Sequence, residues 1–466
     1  MKRLVTVSNR VGPVRGAARA GGLAVALVDA LRSHQGLWFG WSGRVTPSGG
    51  GPVAHHEVDG ITLATMDLSA AEHEAYYNGF ANGCLWPLCH FRTDLAQFDR
   101  RQFESYLRTS ARFAQNLHPL LREEDLVWVH DYHLFPLGEV LREMGCRQPI
   151  GFFLHTPFPP RELRVSIPGH ETLVRQLFAY DLVGFQTKAD VERLQDYVVH
   201  EMGGRVEGDR LHAFGRSVAA RAFPIGIDAD QFQAMAFSRD AEQEWRRVRS
   251  AFGSQEQIIG VDRLDYSKGL PQRFAAFEAL LAEYPETRGR ASLLQIAPVS
   301  REGVRAYRQL RDELEATTGR INARFAEHDW TPLRYLQRAV SRRRLAGLYR
   351  ASRIGLVTPL RDGMNLVAKE YVAAQDPDDP GVLVLSRFAG AAEQMDAALL
   401  VNPHDVAGVT EALQTARSMP RAERRERYER LMRGLRRDNV GSWCQDFLTA
   451  LEAQTPTEAA WQRAIA

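Results

Sequence analysis

Nine short, apolar, β-branched runs, each followed by helical periodicity, constrain this chain more than any other feature: residues 4–9, 126–131, 150–155, 182–187, 222–228, 258–263, 292–297, 353–358 and 381–386. Strands that alternate with helices build parallel sheets. Their apolar cores are nearly continuous, as in IGFFL, IIGV and IGLV, the pattern of strands covered on both faces. The fold class is therefore α/β. At 466 residues the chain exceeds the roughly 250–300 at which a single hydrophobic core stops growing, so two domains are expected. The polar helical stretch 229–257, between AFPIGID and IIGVDR, marks the junction. This predicts an N-terminal domain over residues 1–235 and a C-terminal one over 236–445, with a helix in 446–466 crossing back onto the first. Residues 60–125 lack this strand signal and read as an insertion shaping a binding site, where Asp67, Ser69, Asn78, Gly79, Asn82 and Gly83 break up aromatic clusters.

Charge narrows the range of partners. Lys and Arg number 59 against 57 Asp and Glu, a net charge of +2, whereas a nucleic-acid or membrane-surface protein usually carries a more one-sided balance. Neither partner is expected. The four cysteines, Cys84, Cys89, Cys146 and Cys444, form no disulfide framework and no C-x-x-C pair, which predicts a reducing cytoplasm. The apolar run after Met1-Lys2-Arg3 is too short for a signal peptide, and no stretch of about 18 apolar residues could span a bilayer.

In open parallel sheets, ligands bind beyond the carboxyl ends of the strands. Polar residues gather at those ends: Asn9 and Arg10, His130 and Asp131, His155, Gln186, Asp262 and Arg263, Ser300 and Arg301, Arg361 and Asp362. Gly21-Gly22 before LAVALVDAL could hold an anion at a helix N-terminus, or could serve chain conformation alone. In Asp262-Arg263-Leu264-Asp265-Tyr266-Ser267-Lys268-Gly269, an Arg fork and a Lys point charge suit a diphosphate. The alternative is a surface loop whose aspartates, Asp262 and Asp265, neutralise both cations. Asp362-Gly363-Met364-Asn365-Leu366-Val367 leads into a helix bearing Glu370, so two carboxylates about two turns apart could take sugar and ribose hydroxyls while the free amides take phosphate. The bland reading is a capping Asp and a solvated Glu. His130, His133 and His155 sit at strand ends without the helical or cysteine-rich spacing of zinc sites, so no metal is expected. His155, on a proline-stiffened turn, suits a hydrogen bond to substrate. Residues 421–437 look polyanion-binding, but interleaved glutamates and an apolar stripe at Tyr428, Leu431, Met432 and Leu435 read better as a solvated amphipathic helix.

In order along the chain, SNR, GGLAVAL, LWFGWSG, VWVHDYHL, FFLHTPFP, GFQT, PIGID, DRLDYSKG, IAPVSR, GRIN, TPLRDGMNLVAKEYVAAQ and LSRFAGAAEQ resemble the motifs of the trehalose-6-phosphate synthases, retaining glycosyltransferases of family 20. The resemblance implies a GT-B fold, with two facing Rossmann-like domains and an active site in the cleft between them. It implies transfer of glucose from a nucleotide sugar, most often UDP-glucose, to glucose 6-phosphate, with no cofactor and with a homo-oligomer, dimer or tetramer, allowed. Arg10 and Arg301 resemble the clamp on the acceptor phosphate, with Tyr77 and Trp86 lining the acceptor pocket and Asp131 on the acceptor hydroxyls. Gly22, Arg263 and Lys268 resemble the donor diphosphate site, and Glu370 the ribose partner. His155, Asp362 and the stretch Gly363, Met364, Asn365, Leu366 and Val367 would hold the transferred glucose. Residues 11–19 (VGPVRGAAR) depart from the commoner members in being short and basic. Related synthases with glycerol 3-phosphate or cyclitol acceptors keep the fold and change the acceptor, and a silent sugar-phosphate sensor is a third reading. A trehalose-phosphate phosphatase would need a D-x-D-x-T/V motif, whose only lookalike, Asp228-Ala229-Asp230-Gln231-Phe232, ends in Phe.

Overall fold

The computed structural model of the chain describes residues 2–12, 27–28, 31–32, 34–253, 255–301 and 304–454. Gly21-Gly22, most of the 11–19 loop and the chain beyond Gln454 lie outside the described residues. The fold separates into two units, Ile225–Val440 and a first unit that takes the chain through Pro224 and again from Gly441. The division falls some ten residues before the expected boundary at 235, because the helix Ala229–Ala236 packs with the helices of the second unit.

The first unit is built on ten strands: β1 (Leu4–Arg10), β2 (Leu37–Thr46), β3 (Ala54–Val58), β4 (Ile61–Ser69), β5 (Leu126–His130), β6 (Ile150–Phe153), β7 (Leu182–Phe185), β8 (Arg205–Glu207), β9 (Arg210–Ala213) and β10 (Arg216–Ala222). Their order is β3-β4-β2-β1-β5-β6-β7-β10-β9-β8. The central strands run parallel and are buried along their length, as continuous apolar runs require. The second unit carries six parallel strands, β11 (Glu256–Val261), β12 (Ala291–Ile296), β13 (Leu333–Leu336), β14 (Ile354–Val357), β15 (Val382–Ser386) and β16 (Leu399–Val401), in the order β13-β12-β11-β14-β15-β16. The order reverses between β11 and β14, which makes that strand pair the switch point where an α/β sheet opens for a ligand.

Two sequence expectations fail. Residues 222–228 are not a strand: β10 ends at Ala222, Pro224 offers no N–H to a ladder, and Gly226 lies so close to the backbone of Asp438 and Asn439 that a Cβ would meet the Asp438 carbonyl at 2.1 Å. The supposed insertion at 60–125 begins with β4, which pairs with β3 in a hairpin. Its turn is Asp59-Gly60, both at positive φ, and Asp-Gly between alternating residues is a strong hairpin signal.

The last described helix, Val440–Glu452, closes the first unit. Phe447 is fully buried and stacks on Trp128 of β5, ring centroids 4.5 Å apart and planes 12° from parallel. Gly151 of β6 and Gly184 of β7 make the notch: a Cβ on either would lie 2.8 Å from the Phe447 ring. Phe447→Ala is therefore expected to cost about 3–5 kcal/mol of first-unit stability. Urea unfolding followed by tryptophan fluorescence reads this directly, and an unshifted midpoint would show that the ring does not seal the sheet.

Candidate active site

Of the expected acceptor residues in the first unit, Arg10 ends β1, Asp131 follows β5, and Tyr77 and Trp86 lie in the helical segment after β4. Arg10, exposed at the end of β1, lies over Trp41 with its guanidinium carbon 5.7 Å from the ring centroid. Gly43, at φ +90°, leaves it room, since a Cβ there would sit 2.6 Å from the Arg10 Nε. Tyr77 belongs to a wide π-type helix, His73–Leu85, and stacks on His133 at 5.9 Å and on His73 at 5.3 Å. Trp86 follows directly, buried against His90 and Tyr132. Asp131 leaves β5 at φ +75°, a conformation an L-residue keeps only where its surroundings fix it. Two contacts do so: its N–H donates to the Phe153 carbonyl at 2.8 Å, and its Oδ1 accepts from the His155 N–H at 3.3 Å.

His155 is enclosed by Phe153, Trp443 and His130. Its Nε2 lies 3.0 Å from His130 Nδ1, and its Nδ1 lies 3.3 Å from the Gln186 amide nitrogen. With Gln186 donating to Nδ1, the His155 proton sits on Nε2 and points to His130. Both ring nitrogens are thus engaged, the Gln186 contact being the longer of the two. Burial pushes the His130 imidazole well below its ordinary pKa and lowers that of His155 to about 3, so both rings stay neutral.

In the second unit, two loops meet beyond β11 and β14. Leu360 donates its N–H to the Ser267 carbonyl at 2.8 Å, stitching the loops together. Gly269 stands at φ +65° with no room for a Cβ, which would fall 2.4 Å from the Thr358 carbonyl. Lys268 Nζ pairs with Asp362 Oδ2 at 2.5 Å, and the Asn365 amide donates to the same oxygen at 3.0 Å. Asn365, not Asp362, caps the helix Leu366–Ala373: it adopts φ +77° and its Oδ1 accepts from Ala368 N–H at 3.3 Å. Gly363 and Met364 are buried before that cap, while Leu366 and Val367 are half-buried in its first turn. Nor is Glu370 solvated. It is buried and paired with Arg342 at 3.2 Å; desolvation raises its pKa and the Arg342 charge opposes the rise. Arg263 is about half-exposed, whereas Arg301 is largely buried, at φ +51°.

Two supporting residues, Arg273 and Arg342, escaped the sequence reading, while Asp265 takes the place beside the cations that the sequence offered it. Arg273, with no solvent exposure, donates to Asp262 at 2.6 Å, Gln295 at 2.8 Å, Thr358 at 3.1 Å and the Lys268 carbonyl at 3.4 Å. Arg342 holds Glu370, and Asp265 lies under Arg263 and Arg301. On the basic helix Arg421–Arg437, Arg424 pairs with Asp379, Arg427 with Glu423 and Arg436 with Asp230, and its apolar stripe at Tyr428, Leu431, Met432 and Leu435 is buried. Among the described residues no cluster of His, Cys, Asp and Glu could hold a metal, and no helix is long and apolar enough to cross a membrane.

Comparison with known proteins identifies the family and the fold. The sequence model of glycosyltransferase family 20 matches residues 6–453. A trehalose-6-phosphate synthase of Sinorhizobium fredii is 48% identical over 461 residues, covering 98% of this chain and 99% of that protein. Among solved structures, an α,α-trehalose-phosphate synthase (UDP-forming) from Burkholderia xenovorans in complex with glucose-6-phosphate superposes with a TM-score of 0.94 at 49% identity, covering 97% of this chain and all of that one. An E. coli structure bound with UDP-2-fluoro glucose gives a TM-score of 0.93 at 43% identity, with 98% of this chain and 100% of that one covered. With its motifs at the strand ends and its whole described fold shared with these relatives, the chain belongs to glycosyltransferase family 20.

Proposed function

We propose that the chain transfers glucose, with retention, from UDP-glucose to the anomeric oxygen of glucose 6-phosphate, giving α,α-trehalose 6-phosphate and UDP. The observation that carries this reading is the pairing of Lys268 with Asp362 at the amino end of the helix Leu366–Ala373, where the loops beyond β11 and β14 are joined and Arg263 shares the loop of Lys268. A diphosphate there meets two cations and a helix dipole, and a carboxylate stands ready for sugar hydroxyls. The ligands named for the two solved relatives pair the acceptor with an analogue of the donor. Four buried, unbridged cysteines favour a reducing cytoplasm as its location.

In this reading the bond from the glucose anomeric carbon to the diphosphate breaks with its electron pair moving onto phosphate oxygen. The acceptor oxygen attacks from the same face, and its proton passes to the departing phosphate, so no protein nucleophile is needed. Arg263 and Lys268 stabilise the growing negative charge, which is the interaction that strengthens in the transition state. Lys268 must first loosen its bond to Asp362, and that exchange frees the carboxylate for the glucose hydroxyls. Arg10 and Arg301 would clamp the acceptor phosphate, Tyr77 and Trp86 would flank its sugar, and Asp131 would accept from its hydroxyls. Glu370, held by Arg342, would take the ribose.

The deciding experiment incubates purified protein with UDP-glucose and either glucose 6-phosphate or glycerol 3-phosphate, and identifies products by mass spectrometry. A phosphorylated disaccharide from glucose 6-phosphate is expected; a product from glycerol 3-phosphate alone would change the acceptor, and none from either would sink the reading. Arg263→Ala should lower kcat/KM about 10- to 150-fold, the loss of roughly 1.5–3 kcal/mol of charge-assisted bonding. An unchanged rate would remove Arg263 from the donor site. The histidine pair has a signature of its own. Because both rings are held neutral, unfolding takes up protons below the ordinary histidine pKa of about 6.5; stability from this pair is complete above that pH and is lost as pH falls toward about 3. The melting temperature should therefore drop less steeply between about pH 6.5 and 5 in His130→Asn than in the parent. Parallel slopes would mean that these rings already carry charge when folded.

A further inference from the structure

Asp265 lies between two arginines that the proposed function gives to different substrates. It is fully buried. Its Oδ1 is committed to the turn that follows, accepting from the Ser267 N–H at 3.0 Å and the Ser267 hydroxyl at 2.9 Å. Its Oδ2 faces the other way, where the Tyr307 hydroxyl donates to it at 3.2 Å, with Arg301 Nη1 at 3.6 Å and Arg263 Nη2 at 4.0 Å. Arg301 Nη1 also donates to the Tyr307 oxygen at 2.6 Å, so that hydroxyl relays between guanidinium and carboxylate. The loops beneath are tied as well: Leu264 N–H donates to the Pro298 carbonyl at 2.9 Å, and the Ser300 hydroxyl to the Leu264 carbonyl at 2.9 Å. Arg263 and Arg301 thus leave different strand ends, those of β11 and β12, and approach one oxygen atom.

Two like charges brought this close repel unless an opposite charge stands between them, and burial of that charge makes its hold stronger than a surface pair would give. We propose that Asp265 is a positioning residue that fixes Arg263 and Arg301 relative to each other, and so couples recognition of the donor diphosphate to recognition of the acceptor phosphate. The inference rests on the assignment of Arg263 to the donor and Arg301 to the acceptor. A phosphate that draws on either guanidinium changes what Oδ2 offers the other, and such a linkage acts in both directions.

The test measures KM for each substrate separately. Asp265→Asn keeps the shape and removes the charge, and should raise both KM values, each about 5- to 50-fold. Tyr307→Phe breaks the relay on the Arg301 side alone; it should raise the glucose 6-phosphate KM about threefold or more and leave that for UDP-glucose within about twofold. A folded Asp265→Asn enzyme that raises one KM alone, or neither, overturns the coupling. Should Asp265→Asn fail to fold, the Tyr307→Phe split decides: equal effects on both substrates, or none on either, reject it. A parent that makes no disaccharide phosphate would instead strike the proposed function. Calorimetric titration of UDP and of glucose 6-phosphate into the parent and Asp265→Asn proteins still reads the coupling in that case, expected as a joint loss of affinity and overturned by a loss for one ligand only.

Discussion

The loops beyond β11 and β14 depend on one buried cation. Arg273 has no exposed surface, yet its guanidinium reaches the ends of three strands, through Asp262 after β11, Gln295 of β12 and Thr358 after β14, and supports the carbonyl of Lys268. A charge in such a place is tolerable only when each donor finds an acceptor, and removing one member of a buried pair costs about 3–5 kcal/mol. Even the sheet makes way for it: a Cβ on Gly260 of β11 would lie 2.6 Å from the Arg273 Nη1. The loops that carry Arg263, Lys268 and Asp362 are thereby anchored from beneath by a group that never touches the outside.

Above that anchor the reactive charges are paired among themselves. Lys268 rests on Asp362, Glu370 on Arg342, and Arg263 and Arg301 approach Asp265. Under the proposed function, a diphosphate would exchange partners with charges already held in place by these pairs. Burial sets the opposite condition in the first unit, where His130 and His155 are kept neutral and can only donate or accept hydrogen bonds.

Much of this was legible in the sequence, for physical reasons. Buried parallel strands must be apolar throughout, so runs such as IGFFL and IIGV announced themselves, and the polar residues just past them fell at the ligand-facing ends. The motifs resembling family 20 placed Arg263, Lys268, Asp362 and Glu370 together. What stayed hidden depends on tertiary contact. Arg273 occupies an ordinary helical position in PQRFAAFEALL, and nothing local marks it as buried. A capping role, the alternative open to Asp362 because it precedes a helix, falls instead to the left-handed Asn365 three residues later. The β3–β4 hairpin has a signal in Asp59-Gly60, but its strands are half-exposed and lack the continuous apolar runs that mark the buried parallel ones.

The seat of Phe447 has a consequence for how the chain is made. Trp128, Gly151 and Gly184 form its pocket, yet the residue that fills it comes some 260 positions after Gly184, once the whole of Ile225–Val440 has been synthesised. A ribosome adding about 5–20 residues per second leaves that pocket open for roughly 13–50 seconds after the first sheet emerges. During that interval the apolar notch between β5, β6 and β7 is exposed to whatever shares the cell with the nascent chain, while Ile225–Val440, a continuous segment, can close on its own. The first half to be translated is thus the last to be finished.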